Sequence, residues 1–177
     1  MRLVLFFFLL LLLFAIASSL QKTYAGEPLK IIIPRLSLSL PVVSVPISND
    51  TWEVSTAAAS FGESSAKPGQ IGNTVIFAHA KPQMFQSLPN LQTGDVIHLL
   101  TKSRWFTYKV HNTTVVDPKD TSVLTAKRPF ELTIYTCIGK QFEKRFVAKA
   151  ALIATPFTLT IGRPSYAKAS EGKRGVN

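Results

Sequence analysis

Short apolar or alternating runs, separated by turn-forming clusters, cover the chain from about residue 30 to residue 155. They are rich in Val, Ile, Phe, Tyr and Thr, which favour strands. The runs are KIIIPRLSLSLPVV, GNTVIFAH, DVIHLL, WFTYKVHNTTVV, ELTIYTC and RFVAKAALIA, and the clusters between them include AKPGQIG, QTGD and DPKDTS. This spacing is typical of an all-β barrel or sandwich rather than of a βαβ protein. The pattern therefore predicts an antiparallel barrel.

Helical signals are few. The segments PQMFQSLPNL (82–91) and TSVLTA (121–126) each have room for one short turn of helix, with Pro89 and Pro129 as limits. The folded domain is predicted over residues 29–156, and the basic stretch 157–177 is predicted to be a disordered tail. The length of 177 residues allows one domain of useful size.

Residues 3–20 form an almost wholly apolar run, LVLFFFLLLLLFAIASSL, preceded by Arg2. Its length lies between those of a signal-peptide core and a membrane-spanning helix. A buried helix of a soluble domain is disfavoured because the run has no polar face. We therefore interpret residues 1–28 as a signal peptide or an N-terminal membrane anchor with a short linker, and we favour the anchor, with the domain on the extracytoplasmic face.

The net charge of +10 is spread along the chain rather than gathered in one block. A basic exported protein is attracted to anionic lipids and acidic wall polymers by the same field that would attract nucleic acid. Because the N-terminal run indicates export, the charge favours the cell envelope, and no nucleic-acid partner is expected.

Cys137 is the only cysteine, so this exported chain has no internal disulfide. Three interpretations remain: a buried small hydrophobe, an intermolecular bridge or a reactive thiol. The thiol lies at the end of the ELTIYTC strand, shortly before Gly139 and a polar loop, where a substrate can approach. Its position favours a nucleophile.

Two other side chains suit a cysteine nucleophile. His79 ends the NTVIFAH strand, and a neighbouring imidazole can stabilise a thiolate and protonate a leaving amine. Arg145 follows Cys137 by eight positions, which suits a hairpin that brings the two side by side. Its guanidinium is suited to stabilising an oxyanion. Taken singly, without Cys137, His79 and Arg145 are better explained as ordinary strand-end surface residues. His98 and His111 lie mid-strand and are assigned no role.

The residues show no metal-ligand spacing, and neither a metal nor another cofactor is expected.

The segments GNTVIFAHA, MFQSLPNLQTGDVIHL, LTIYTC and KRFVAKA, in this order, resemble the sortase family over about residues 30–155. In that family a strand ends in the catalytic His, a T-L-x-T-C strand carries the nucleophile, and an Arg opens the next strand. The matching positions here are His79, Cys137 and Arg145. Ile134 replaces the motif's Leu, and the alanines that flank His79 leave the subclass unassigned.

The resemblance implies an eight-stranded antiparallel β-barrel and a transpeptidase that cleaves an LPxTG-like sorting signal through a thioacyl intermediate. The implied partners are secreted proteins with a C-terminal sorting signal and an amine acceptor, either a cell-wall precursor or a pilin lysine. The implied roles are nucleophile for Cys137, proton donor and acceptor for His79, charge stabiliser for Arg145 and substrate contact for Thr136. The segment 118–130 is the expected wall that reads the signal.

Two alternatives stay open from the residues. One is another exported Cys/His enzyme, such as an L,D-transpeptidase or a thiol hydrolase. The other is a non-catalytic exported β-barrel that binds an envelope ligand, with the three residues merely structural.

Overall fold

The computed structural model describes residues 26–48 and 51–154. The expected N-terminal hydrophobic helix and the expected basic tail lie outside the described residues. Within the described ranges, no helix has the length and apolar character needed to cross a membrane.

Strands account for most of the described chain, and three short 3-10 helices lie in the connections. The strands are β1 (Pro28–Ile33), β2 (Leu38–Val45), β3 (Ile47–Ser48), β4 (Thr51–Trp52), β5 (Ala59–Gly62), β6 (Asn73–Phe77), β7 (Val96–Thr101), β8 (Trp105–Val116), β9 (Glu131–Ile138) and β10 (Lys144–Ala154). The helices are η1 (Pro34–Leu36), η2 (Phe85–Asn90) and η3 (Thr121–Leu124). The helices η2 and η3 fall inside the two segments where short turns were predicted.

Eight of these strands close into a barrel in the order β1-β2-β5-β6-β9-β10-β8-β7, and β3 pairs with β4 in a separate hairpin. The predicted eight-stranded all-β barrel is confirmed. The prediction that it is purely antiparallel is wrong, because β2 pairs with β5 and β6 pairs with β9 in parallel. Parallel neighbours need a long crossover, and between β6 and β9 the chain makes it through η2, β7, β8 and η3.

The run KIIIPRLSLSLPVV forms two strands rather than one. Pro34 opens η1, and Ser37 closes it in the left-handed conformation with φ 49°. The chain thereby reverses, and β1 and β2 pair antiparallel, with Ile33 opposite Leu38. Proline suits the first turn of a helix because it has no N–H to leave unpaired there.

Alternate residues of each strand point into the barrel and form its core. The inward set includes Ile31, Ile33, Leu40, Phe61, Ile76, Ile97, Leu99, Phe106, Tyr108, Leu132, Ile134, Phe146 and Ala148. A second, smaller apolar cluster lies on the other face of the sheet and comprises Val45, Val75 and Phe77, with Trp52, Leu124 and Tyr135 packed against it. This outer cluster lies beside the candidate site.

Candidate active site

Cys137 lies on the outer face of β9, next to the last residue of the strand. Its register partner on the antiparallel strand β10 is Arg145. Side chains alternate along a strand, so Cys137 shares its face with Tyr135 and Thr133, while Ile134 points into the barrel core. The thiol is half-buried and free of any disulfide.

His79 lies two residues beyond the end of β6, the parallel neighbour of β9. Three hydrogen bonds fix the backbone of His79 and of Ala78 before it. The Ala78 amide donates to the Tyr135 carbonyl at 3.4 Å, and the Phe85 amide donates to the His79 carbonyl at 3.1 Å. The hydroxyl of Thr136, which is buried, donates to the Ala78 carbonyl at 2.8 Å. The imidazole is therefore held beside the strand that carries Cys137.

Arg145 lies on the other side of Cys137 and ties down the turn between β9 and β10. Its Nη1 donates to the Phe142 carbonyl at 3.0 Å and to the Lys144 carbonyl at 3.3 Å. Phe142 has a left-handed φ of 58°, so these contacts brace a tight turn. A guanidinium carries several N–H donors, so this arrangement leaves others for a substrate.

All four side chains predicted to belong to the site line one cavity of about 530 Å³. Cys137, His79, Arg145 and Thr136 come from the neighbouring ends of β9, β6 and β10. Strand residues form the floor, with Phe77, Tyr135 and Val147 in the middle. One wall comes from the β3–β4 region, with Ile47, Trp52 and Val54, and the other comes from the β8–β9 loop, with Pro118, Asp120, Thr121, Val123 and Leu124. This cavity is called the groove below.

Three aromatic rings stack along the floor and wall of the groove. Trp52 and Phe77 have ring centroids 5.6 Å apart, and Phe77 and Tyr135 are 5.1 Å apart with planes inclined by 11°. Burial raises the pKa of the Tyr135 phenol, while the nearby Arg145 guanidinium lowers it and Cys137 raises it. The phenol is therefore protonated at neutral pH and can act as a hydrogen-bond donor.

The sequence analysis did not assign Phe77 and Tyr135 to the site. The signal was present, because the alternation in ELTIYTC places Tyr135 on the same face as Cys137. No pattern in the sequence placed Trp52 in the groove, because its position depends on the β3–β4 hairpin, which is distant in sequence from Cys137. Gly62 makes that place possible: a Cβ there would lie 2.5 Å from Trp52 Cε2.

The other two histidines lie outside the groove. Nδ1 of His98 accepts from Trp105 Nε1 at 3.1 Å and lies 3.1 Å from the Thr107 hydroxyl. His111 Nε2 is 3.2 Å from Glu131 Oε1. Within residues 26–48 and 51–154, no group of three or more His, Cys, Asp or Glu side chains is placed to hold a metal ion.

The family model for the sortase domain matches residues 31–153, which span the barrel and include Cys137, His79 and Arg145. The chain belongs to the sortase family. The expected family is thus confirmed. Among curated relatives, this sortase is similar to Sortase D of Bacillus subtilis (strain 168), with 29% identity over 106 residues. The match covers 59% of this chain and 51% of the relative, so the chain spans about half the length of that relative.

Solved structures show the same fold at low identity. Sortase C of Streptococcus pneumoniae superposes with a TM-score of 0.66 at 21% identity, covering 75% of this chain and 72% of that one. Sortase E1 of Streptomyces coelicolor, solved with a tripeptide in its active site, gives 0.65 at 20% identity and covers 80% and 96%. Sortase A of Listeria monocytogenes gives 0.63 at 24% identity and covers 76% and 93%. These likenesses establish the barrel architecture.

Proposed function

We propose that this sortase is a membrane-anchored cysteine transpeptidase that cleaves an LPxTG-like sorting signal and transfers the acyl part to an amine. The observation that carries the proposal is the position of Cys137. The only thiol of the chain lines an apolar groove, with Arg145 as its register partner and His79 just beyond the end of the neighbouring strand β6.

In the first half-reaction, the Cys137 thiolate attacks the carbonyl carbon of the scissile Thr–Gly bond. Arg145 stabilises the resulting oxyanion, because a preorganised cation at developing charge lowers the barrier. Collapse of the tetrahedral intermediate breaks the C–N bond, and His79 gives its proton to the departing amine. The product is a thioester on Cys137.

In the second half-reaction, an amine attacks the thioester carbonyl and His79 accepts its proton. Collapse forms a new amide bond and releases the Cys137 thiolate. The acceptor is a cell-wall precursor or a pilin lysine, and the donor is a secreted protein with a C-terminal sorting signal. The N-terminal run 3–20 would hold the enzyme at the extracytoplasmic face of the membrane, where both substrates are found.

The groove suits an extended peptide with apolar side chains. Its floor is formed by aromatic and aliphatic side chains, namely Phe77, Tyr135 and Val147, which can bury apolar residues of a sorting signal. Thr136 has its hydroxyl occupied by the Ala78 carbonyl, so we assign it the positioning of the His79 backbone in addition to any contact with the peptide.

The β8–β9 loop is the proposed reader of the signal. Exchanging residues 118–130 for those of another sortase should alter peptide preference, measured as relative kcat/KM over a panel of sorting peptides. A chimera with the parental ranking of peptides would count against this role.

The decisive test is intact-mass spectrometry of the full chain after incubation with L-P-x-T-G-type peptides. We expect a thioacyl adduct on Cys137 that is absent from the Cys137→Ala variant and strongly reduced in His79→Ala. Addition of an amine should convert the adduct to a transpeptidation product. Release of the acid alone despite added amine would indicate a thiol hydrolase. A thiol inert to both peptides and small alkylating agents would indicate a non-catalytic binding barrel.

A further inference from the structure

A buried ionic cluster lies on the same outer face of the barrel as Cys137, at the other end of β9. Glu131 opens β9, and its side chain is wholly buried. Lys149 of β10 is 5% exposed, and its Nζ lies 3.0 Å from Glu131 Oε2. Six positions along the strand separate Glu131 from Cys137, a distance of about 20 Å at the usual rise per residue. The pair is therefore too far from the thiol to take part in the chemistry.

Asn73 of β6 and Thr133 of β9 complete what we call the anchor cluster, together with Glu131 and Lys149. The Thr133 hydroxyl donates to Asn73 Oδ1 at 2.9 Å. His111 approaches from β8, with its Nε2 3.2 Å from Glu131 Oε1. The cluster thus draws on the three neighbouring strands β6, β9 and β10, and His111 adds a contact from β8.

The anchor cluster bonds to the backbone of the β8–β9 loop at three nearby residues. Asn73 Nδ2 donates to the Leu124 carbonyl at 2.7 Å, and Lys149 Nζ donates to the Thr125 carbonyl at 2.8 Å. The Lys127 amide donates to Glu131 Oε2 at 2.9 Å. The bonds made by Lys149 and Glu131 are charge-assisted, and such hydrogen bonds are stronger than neutral ones. They fix the loop to the barrel immediately after η3.

The same loop forms one wall of the groove, and its apolar contact with the outer cluster is made by Leu124, which is only partly buried. None of the η3 residues is buried, and the hydrogen bonds within the loop join near neighbours between Asp117 and Thr125. These internal bonds can hold the shape of η3, but they do not set its distance from the strands. The anchor cluster supplies the fixed attachment.

We propose, on the basis of the sortase activity proposed above, that the anchor cluster is a positioning device for the sorting-signal groove: Glu131 and Lys149 hold the β8–β9 loop at the separation that the peptide requires. A buried ion pair is poor evidence of net stabilisation, because desolvation offsets much of the attraction and apolar replacements of similar volume are often neutral. Its buried charges instead specify one loop position, through the Thr125 carbonyl and the Lys127 amide that they bind. Glu131 and Lys149 are thus positioning residues.

The test is the double variant Glu131→Leu/Lys149→Met in the full chain, which removes both charges together and leaves no unpaired buried ion. A matched control is Glu27→Gln, which removes an exposed contact with Lys67 on residues outside the groove. Three quantities are measured in each protein: amide hydrogen exchange over residues 121–127, KM and kcat for a sorting peptide, and the rate of Cys137 alkylation by iodoacetamide.

We expect exchange over residues 121–127 to be about tenfold faster in the double variant, since the Lys127 amide loses its acceptor. The peptide KM should rise about tenfold with kcat nearly unchanged, because the wall contacts the peptide equally in the ground and transition states. Alkylation of Cys137 should stay at the wild-type rate, and the Glu27→Gln protein should match the wild type throughout.

If the wild type forms the acyl adduct and the double variant has the same peptide KM as the wild type, the positioning role is overturned, even if amide exchange in the loop is faster. A fall in kcat together with slower alkylation would also overturn it, because the effect would then reach the catalytic residues. If the wild type itself forms no adduct with any sorting peptide, the proposed sortase activity fails first and the positioning role falls with it.

Discussion

The outer face of β9 carries Cys137 and Tyr135 near one end and Glu131 and Thr133 at the other. The first end opens into an apolar groove, where the thiol is half-buried and the aromatic rings are stacked. The second end is covered by the β8–β9 loop, and its carboxylate is fully buried against an ammonium group. One end of the strand thus presents a free thiol in an accessible apolar groove, and the other end holds a charged pair that is enclosed.

This difference separates two tasks along one strand. The proposed reaction requires that a peptide can enter, and the Cys137 end has an uncovered surface that would allow it. The proposed reading of the signal requires that the wall of the groove stays in one place, and the hydrogen bonds at the Glu131 end leave few alternative arrangements. Between them the Phe77–Tyr135 stack joins the two regions, since Leu124 of the loop packs on the same apolar cluster. Each prediction below disturbs one part of this arrangement.

Phe77→Ala should have the largest effect, because this ring lies between Trp52 and Tyr135 and is 2% exposed. Truncating a buried Phe leaves a cavity and typically costs about 3 to 5 kcal/mol of stability. We expect a loss of this size in the free energy of unfolding, measured by urea denaturation with fluorescence detection. The matched control is Phe142→Ala, which removes an exposed ring and should change stability by about 0.5 kcal/mol or less. Equal losses of unfolding free energy in the two variants would refute the idea that the Phe77–Tyr135 stack connects the two ends of β9.

Arg145→Lys keeps the positive charge but loses the fork that bonds to the Phe142 and Lys144 carbonyls. Removing one well-placed oxyanion donor typically lowers kcat about 10²- to 10³-fold. We expect a fall in that range in single-turnover acylation, with peptide KM little altered. Stability should change less than in Phe77→Ala. A variant that acylates at the wild-type rate would show that Arg145 only braces the turn.

The sequence predicted the barrel because the outward and inward residues of most strands differ in polarity. It missed β5, since Ala59, Ser60, Phe61 and Gly62 are all buried and show no alternation. It also missed the parallel pairing of β6 with β9, because no residue pattern within either strand indicates which strand it pairs with. Pairing between strands separated by two others depends on closure of the whole barrel, which no short pattern encodes.

The site divides in the same way. Cys137, His79 and Arg145 were predictable because each lies at a strand end with a reactive or charged side chain, and the spacing of eight residues set the β9–β10 hairpin. Their roles in the reaction stay predictions. The anchor cluster was not predictable, because Glu131 and Lys149 resemble ordinary strand-end and surface charges in sequence. Their burial results from the path of the β8–β9 loop.

Thr136→Val removes the hydroxyl that donates to the Ala78 carbonyl, with almost no change in volume. An unsatisfied buried carbonyl costs about 1 to 3 kcal/mol. We expect a stability loss in this range and a fall in acylation rate, since the backbone next to His79 loses its attachment. Thr136→Ser, which retains the hydroxyl, should recover most of the acylation rate. Failure of the serine variant to do so would assign the effect to the lost methyl group instead.

The smallest effect concerns pH and tests the enclosed end alone. Burial raises the pKa of Glu131, but the Lys127 amide, Lys149 and His111 outweigh it and hold that pKa below the usual value of 4.5. A carboxyl with a lowered pKa in the folded state contributes stability that is present above its unfolded pKa and is lost as pH falls through the folded value. The wild type should therefore lose more stability than Glu131→Leu/Lys149→Met between about pH 6 and about pH 3 in denaturant unfolding series. The exposed carboxylates contribute equally to both proteins and cancel in this difference. Parallel pH profiles would mean that the Glu131 charge contributes nothing to the stability of the folded protein. The two ends of β9 would then differ in how far the loop covers them and not in any effect of charge.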